Sequence, residues 1–198
     1  EFIVTNNTGI AFEAYKRGIR WIAGPFMNTV NSFSLWSLKE NFNCAGAFIS
    51  NELSREQIRS IKRPEDFDLF YSIYHPVVLM TSRQCLFQQV TGCAKNMLDK
   101  SCIQHCEKSA SIKNLKDAAF FIEKSAGNLH RVYNETNFLN TQIVRDIPNF
   151  FSGFLIDLRA IKTRTETEVS KSKLISIFEN HIKGNSEAEK KLKQYIRH

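Results

Sequence analysis

Long apolar runs are missing from this chain of 198 residues. None approaches the roughly 20 residues that a helix needs to cross a bilayer. No secretory signal peptide is visible. There is no Gly-rich phosphate loop, no Gly-x-Ser-x-Gly elbow and no His-Glu-x-x-His pair, so the residues themselves supply no peptidase mechanism. An even, dispersed set of cysteines is missing too. The five cysteines are odd in number and clustered. That argues against a small secreted disulfide domain and for thiols that bind metal or stay free in a reducing compartment, with the cytoplasm as the expected location. A starting methionine is also lacking: the chain opens Glu1-Phe2 and falls almost directly into a strand pattern. A fragment of a longer protein is expected from that start. Low-complexity segments are absent, as are internal repeats beyond a strand–helix unit.

What is present is ordinary for a globular protein: 42% hydrophobic and 24% charged residues. The length is enough for one large domain or two small ones. The net charge is +7 and the pI is near 9.2. A basic balance favours polyanions such as RNA, or nothing in particular. Much of the excess lies in lysines between Lys162 and Lys193. Those lysines fit a phosphate-binding surface or a solvated helical face. The residues leave the oligomeric state open.

The first third alternates strand and helix. Phe2 to Asn7 reads as a strand, and Ile10 to Arg17 as a helix with Gly18 as its stop. Ile19 to Phe26 is a second apolar stretch. Ser32 or Ser34 can cap a helix through Leu35, Trp36, Leu38 and Glu40. Cys44 to Ile49 is a third strand, and Ser54-Arg55-Glu56-Gln57 a capping box that opens a helix through Ile58 and Ile61. Pro64 to Tyr74 reads as a connector to a fourth buried strand, Val77 to Ser82. Beyond the cysteines the pattern changes. Ser111 to Leu115, Ala118 to Lys124 and Leu129 to Tyr133 read as short antiparallel strands, with a turn at 125–128. Thr141 to Ser152 predicts helix on either side of Pro148, and Phe154 to Arg159 a last buried strand. Val169 to Lys183 is an amphipathic helix closed by Gly184. Ser186 to Ile196 is a short basic helix, with Ser186 and Glu189 as its capping pair.

Five candidate parallel strands result, too few for an eight-stranded barrel. The expected fold is α/β: part of a TIM-like (β/α) barrel with parallel strands, plus a small antiparallel β insertion and C-terminal helices. Residues 1–110 would hold the βα units ending in the cysteine-rich loop, 111–140 the antiparallel segment, and 141–198 the final strand and helices.

Four cysteines, Cys85, Cys93, Cys102 and Cys106, fall within 22 residues just after the fourth strand. Thiolates gathered in a loop can hold a metal or an iron–sulfur cluster, and the bound centre would give the loop a core. Free, partly buried thiols are the plain alternative. Zinc is the metal alternative, with His105 between two of the thiols. The gaps of seven, eight and three residues match no ordinary zinc knuckle. Cys44, far from the group, reads as core. Glu52 ends a strand, where barrel enzymes place working groups; it can accept a proton or hold a substrate amine, or complement a helix dipole. Arg83 can bind a phosphate or carboxylate bidentately, or neutralise cluster charge. Asp157 and Arg159 alternate along the predicted last strand and so share a side, as mouth residues or as a bridge. Asn28, Asn31, Asn137 and Asn140 sit at predicted strand ends, as ligand contacts or turn residues. His75, His130 and His181 have no evident partner.

Several runs carry a resemblance. Asn28-Thr-Val-Asn31-Ser32, Ser50-Asn-Glu52-Leu53-Ser54 and Met80 to Leu86, with Asn137 to Asn140 and Phe154 to Arg159, resemble the collagenase-like peptidase family, the thirty-second family of peptidases of unassigned mechanism. The similarity extends to about Gly184. It implies a barrel carrying a four-iron four-sulfur cluster on four cysteines. It also implies, for several members, oxygen-independent or prephenate-linked hydroxylation of RNA bases or of the ubiquinone ring. Cys85, Cys102 and Cys106 are similar to ligand positions of the family, and Cys93 follows as the fourth. The long C-terminal continuation resembles the branch with the ribosomal RNA cytidine hydroxylase. The resemblance thus implies RNA base hydroxylation; Glu52, at a predicted strand end, and Arg83, two residues before Cys85, are the candidate catalytic residues by position. A metal-assisted or thiol peptidase and a non-catalytic RNA-binding fragment stand beside it. A fragment purified in air is expected to fold without the cluster, leaving residues 92–106 mobile.

Overall fold

Strand and helix alternate through the first third of the chain in the computed structural model, which describes residues 2–95, 99–106, 109–125 and 129–197, the side chains of 103–105 excepted. The elements are β1 (Ile3–Thr5), α1 (Thr8–Lys16), β2 (Trp21–Ala23), α2 (Ser32–Phe42), β3 (Gly46–Ile49), α3 (Arg55–Ser60) and β4 (Asp68–Ser82). There follow α4 (Leu86–Val90), α5 (Lys100–His105), β5 (Ser109–Lys113), β6 (Ala119–Ser125), β7 (Leu129–Leu139), α6 (Gln142–Asp146) and β8 (Gly153–Ile156). The last are β9 (Glu166–Thr167), α7 (Lys171–Ile182), α8 (Ser186–Tyr195) and β10 (Ile196–Arg197). The fold is mixed α/β. Its contacts form two units: one of Glu1–Tyr74, Asn140–Asp157 and Ile182–Gly184, the other of His75–Leu139, Leu158–His181 and Asn185–His198.

The first unit is built on five parallel strands in the order β1-β2-β3-β4-β8. Ala23 pairs Ala47, Ile49 pairs Tyr71, and Tyr71 pairs Phe154. Parallel strands covered by crossover helices need apolar residues on both faces, and Ile22, Ala23, Ala47, Ile49, Leu69, Tyr71 and Ile73 are buried. The helices start where asparagine or serine satisfies their first N–H groups. Asn7 Oδ1 accepts from Gly9 and Ile10 at 2.9 and 3.1 Å, and Asn31 Oδ1 from Ser34 at 2.9 Å. The Ser54–Gln57 capping box closes on both sides. Gly18, at φ +64°, ends the turn after α1 in the left-handed region that glycine enters freely. The Arg55 guanidinium ion-pairs with Asp146 at 2.5 Å, and Arg59 donates to the Asp146 carbonyl at 2.8 Å, tying α3 to α6.

Several expectations need correction. The cap of α2 is Asn31 rather than Ser32 or Ser34. Residues 68–74 are not a connector but the first half of β4, whose fifteen residues run on to Ser82. Pro76 masked this, because proline cannot donate to a ladder and reads as a strand boundary. Leu79 and Met80 are exposed, so the end of β4 is not a buried strand. Thr141 to Ser152 holds only the five helical residues of α6. β8 stops at Ile156, so Asp157 and Arg159 do not share a strand face. The Asp157 N–H instead donates to the Tyr74 carbonyl at 2.8 Å.

In the second unit, β5, β6 and β7 pair antiparallel, with Ala110 opposite Ile122 and Ile122 opposite Val132. β7 neighbours β4, whose residues from His75 onward belong to this unit. β7 runs to Leu139, past its expected end at Tyr133. The turn expected at 125–128 lies outside the described residues beyond Ser125. α7 buries Leu174, Ile177 and Phe178, as its spacing predicts, and also His181, while Ile182, expected on the same stripe, is half-buried. α8 is capped by Asn185, which accepts from Glu187 and Ala188, rather than by Ser186. β9 and β10 pair antiparallel, Thr167 opposite Ile196. Among the described residues, no helix is long and apolar enough to cross a membrane.

Candidate functional site

The cysteine segment folds against one face of the β5-β6-β7 sheet. Side chains alternate along a strand, so Ala110, Ile122 and Val132, which lie opposite one another, share a face. Ser82 Oγ accepts from the Gln84 N–H at 3.0 Å and turns the chain after β4. Cys85 follows in extended backbone, and α4 then places Phe87 fully buried on Ile122 and Val132. Burying such a ring contributes about 1.5–3 kcal/mol. Cys85, Leu86, Cys106, Ala110 and Phe120 pack around this trio. Two of the four clustered thiols thus border one apolar patch.

His130 precedes Val132 by two residues in β7 and so lies on the same face. It is only 1% exposed. Its ring meets the Phe87 ring edge-on, 4.9 Å between centroids. Neither ring nitrogen has a hydrogen-bond partner among the described residues. Burial holds the imidazole below its ordinary pKa, and Lys124, directly opposite on β6, pushes in the same direction.

Cys102 sits in a different setting. Asp99 caps α5 by accepting from the Cys102 N–H at 2.9 Å. Lys95 Nζ lies 2.8 Å from Asp99 Oδ2 and also reaches Ser101 Oγ. The Lys95 hydrogen bond, followed by those from Ser101 and Cys102, holds the Asp99 carboxyl far below the usual carboxylate range. Lys95 is pushed up in turn, chiefly by Asp99, with the Cys102 thiol adding to it. Cys93 is half-buried between α4 and α5. None of the four cysteines is in a disulfide. Cys85 and Cys106 share a patch, while Cys102 joins the Lys95–Asp99 pair. Among the described residues, no three His, Cys, Asp or Glu side chains form a group that could hold a metal ion. The His105 side chain lies outside the described residues.

Glu52 is exposed in the turn after β3, its N–H on Ser50 Oγ at 3.3 Å; it belongs to the first unit. Arg83 is exposed just past β4, in the second. The asparagines serve local structure. Asn28 takes φ 55° and Asn31 caps α2. Asn137 accepts from Thr163 Oγ1 at 3.1 Å. Asn140 donates to Tyr71 Oη at 3.1 Å and accepts from the Ile143 N–H at 3.2 Å. His75 stacks on Phe138 at 5.1 Å. Cys44 is fully buried, its thiol directed at the Gly46 carbonyl 3.1 Å away and pushed up by burial. His130, to which the sequence assigned no partner and no role, is the addition to the site; its two-residue spacing from Val132 was the available signal.

The chain was compared with known proteins. No curated protein and no solved structure matches it. Residues 9–197 match the family model described as peptidase family U32. That match spans nearly every element above, from α1 to β10, and so covers both units. The chain belongs to peptidase family U32.

Proposed function

We propose that this chain is part of an iron–sulfur enzyme of its family, one that hydroxylates a cytidine base in RNA. The observation that carries the reading is the set of four half-buried cysteines in one short segment, two of them on a patch that also buries an imidazole with no hydrogen-bond partner among the described residues. Iron–sulfur groups are held by cysteine thiolates, and their properties depend on burial and on hydrogen bonds to sulfur. The donor set fits such a group chemically. The segment must close further to gather all four sulfurs, since they do not form one group among the described residues. Cys85, Cys93, Cys102 and Cys106 would hold the group, which supplies electron transfer or activation of a substrate oxygen.

The rest falls to the chain's own residues. The five parallel strands are read as part of a TIM-like barrel, with Glu52 at the C-terminal end of β3, where such folds place working groups. Glu52 accepts a proton or holds an amine, and Arg83 holds a phosphate or carboxylate. The lysines of α7 and α8 hold the RNA backbone. Thiols of this kind persist in a reducing cytoplasm. Anaerobic purification, reconstitution and assay of iron and sulfide test the reading. About four of each per chain supports it, and one stoichiometric zinc with no iron overturns it. The family match favours a second reading, a thiol or metal-assisted peptidase. Protein cleavage that is lost in a folded Cys102→Ala chain would select that reading instead.

A further inference from the structure

His130 is an imidazole in an apolar wall. Phe87, Ile122 and Val132 make the core of that wall, with Leu86, Ala110 and Phe120 around it. His130 lies against the Phe87 ring, 1% exposed, and neither of its nitrogens is hydrogen-bonded among the described residues. Unpaired buried polar groups lower stability, and an apolar residue of similar shape would remove that loss. A histidine here is therefore a cost unless something completes its hydrogen bonds. The chemistry on the same patch that can do so is sulfur: Cys85 and Cys106 both border it.

We propose that His130 is a positioning residue for the cysteine centre. One ring N–H donates to a sulfur of the pair bordering its patch, Cys85 or Cys106, once the thiols hold their iron–sulfur group. The inference rests on the reading of the cysteines as ligands. Ligation brings thiolate charge onto an apolar surface, where unscreened charge needs donors. His130 is already buried there, with an N–H uncommitted among the described residues. Lys124, opposite it on β6 and half-buried, adds positive potential on the same face. Groups beyond the ligands commonly hold metal ligands in orientation, and losing one weakens metal retention by about 10–100-fold.

The test uses the full chain and its His130→Phe and His130→Gln variants, each reconstituted anaerobically with ferrous iron and sulfide. Iron and sulfide per chain, the rate of iron loss to a chelator, and the melting temperature of the iron-free chain are measured. The expected result is threefold. H130F takes up iron but loses it about 10–100-fold faster than the parent chain. Its iron-free form melts no lower than the parent's, because the orphaned nitrogens are gone. H130Q, which keeps an N–H donor, restores retention. Iron loss from H130F at the parent rate overturns the inference and leaves the ligand reading standing, as does equal destabilisation of both iron-free variants with unchanged retention. Absence of iron from the parent chain itself overturns the ligand reading and this inference together.

Discussion

A buried imidazole without partners stays neutral, because charge cannot be solvated where it sits. His130 meets that condition, and burial and Lys124 both hold its pKa below the ordinary 6.5. In the iron-free chain the consequence has a definite sign. Above pH 6.5 the imidazole is neutral folded or unfolded and contributes nothing to pH dependence. As the pH falls through that value, the unfolded chain takes up a proton that the folded chain refuses, so stability drops. Asp99, Glu56 and Glu187 are also shifted down, their carboxyls held low by local hydrogen bonds. Their contributions are present above the unfolded carboxylate value and fade only below about pH 4. We therefore expect the urea midpoint of the iron-free chain to fall from pH 7 to pH 5, and His130→Phe to flatten the slope. Equal slopes in the two chains would count against this account. None of it could be read at His130 alone, since the residue that buries it, Phe87, is remote in the chain.

Elements differ in how local their causes are. The Ser54–Gln57 capping box is written within four residues, and α3 forms where that signature stands. Asn31 and Asn185 took the cap positions of α2 and α8 from neighbouring serines, and Asn7 caps α1. Each lies one residue before its helix, where a short side chain can reach the free N–H groups. Strands are less local. β4 was cut in two at Pro76, and the run before it, with Phe70, Tyr71 and Tyr74, looks like a connector until β3 and β8 flank it. We expect Ser54→Ala to cost about 1 kcal/mol in urea unfolding. Phe87→Ala should cost about 3–5 kcal/mol, because it empties the middle of a packed cluster. A comparable, small loss from both would mean that the Phe87 patch is not a packed core.

At the scale of the whole molecule, charge and partner choice dominate. The chain carries +7, and α8 exposes Lys190, Lys191 and Lys193. Lys191 and Lys193 are each bridged to a glutamate one turn earlier, Glu187 and Glu189. If α8 lies on an RNA backbone, Lys190→Ala should weaken binding alike for different sequences and reduce the salt slope of log K by about one. Affinity measured across a salt series checks this, and an unchanged slope would place the contact elsewhere. What the sequence by itself determined is what neighbouring residues can encode. That covers the alternation of strand and helix, the capping box, the apolar stripe of α7 and the crowding of four cysteines into one segment. Only the tertiary structure decided which strands became neighbours, as when β8 returns to β4 after the antiparallel insertion. It alone placed His130 under Phe87 and set Cys85 and Cys106 on one patch. Periodicity and capping act over a few residues, whereas burial and polar satisfaction depend on segments that meet only after the chain has folded.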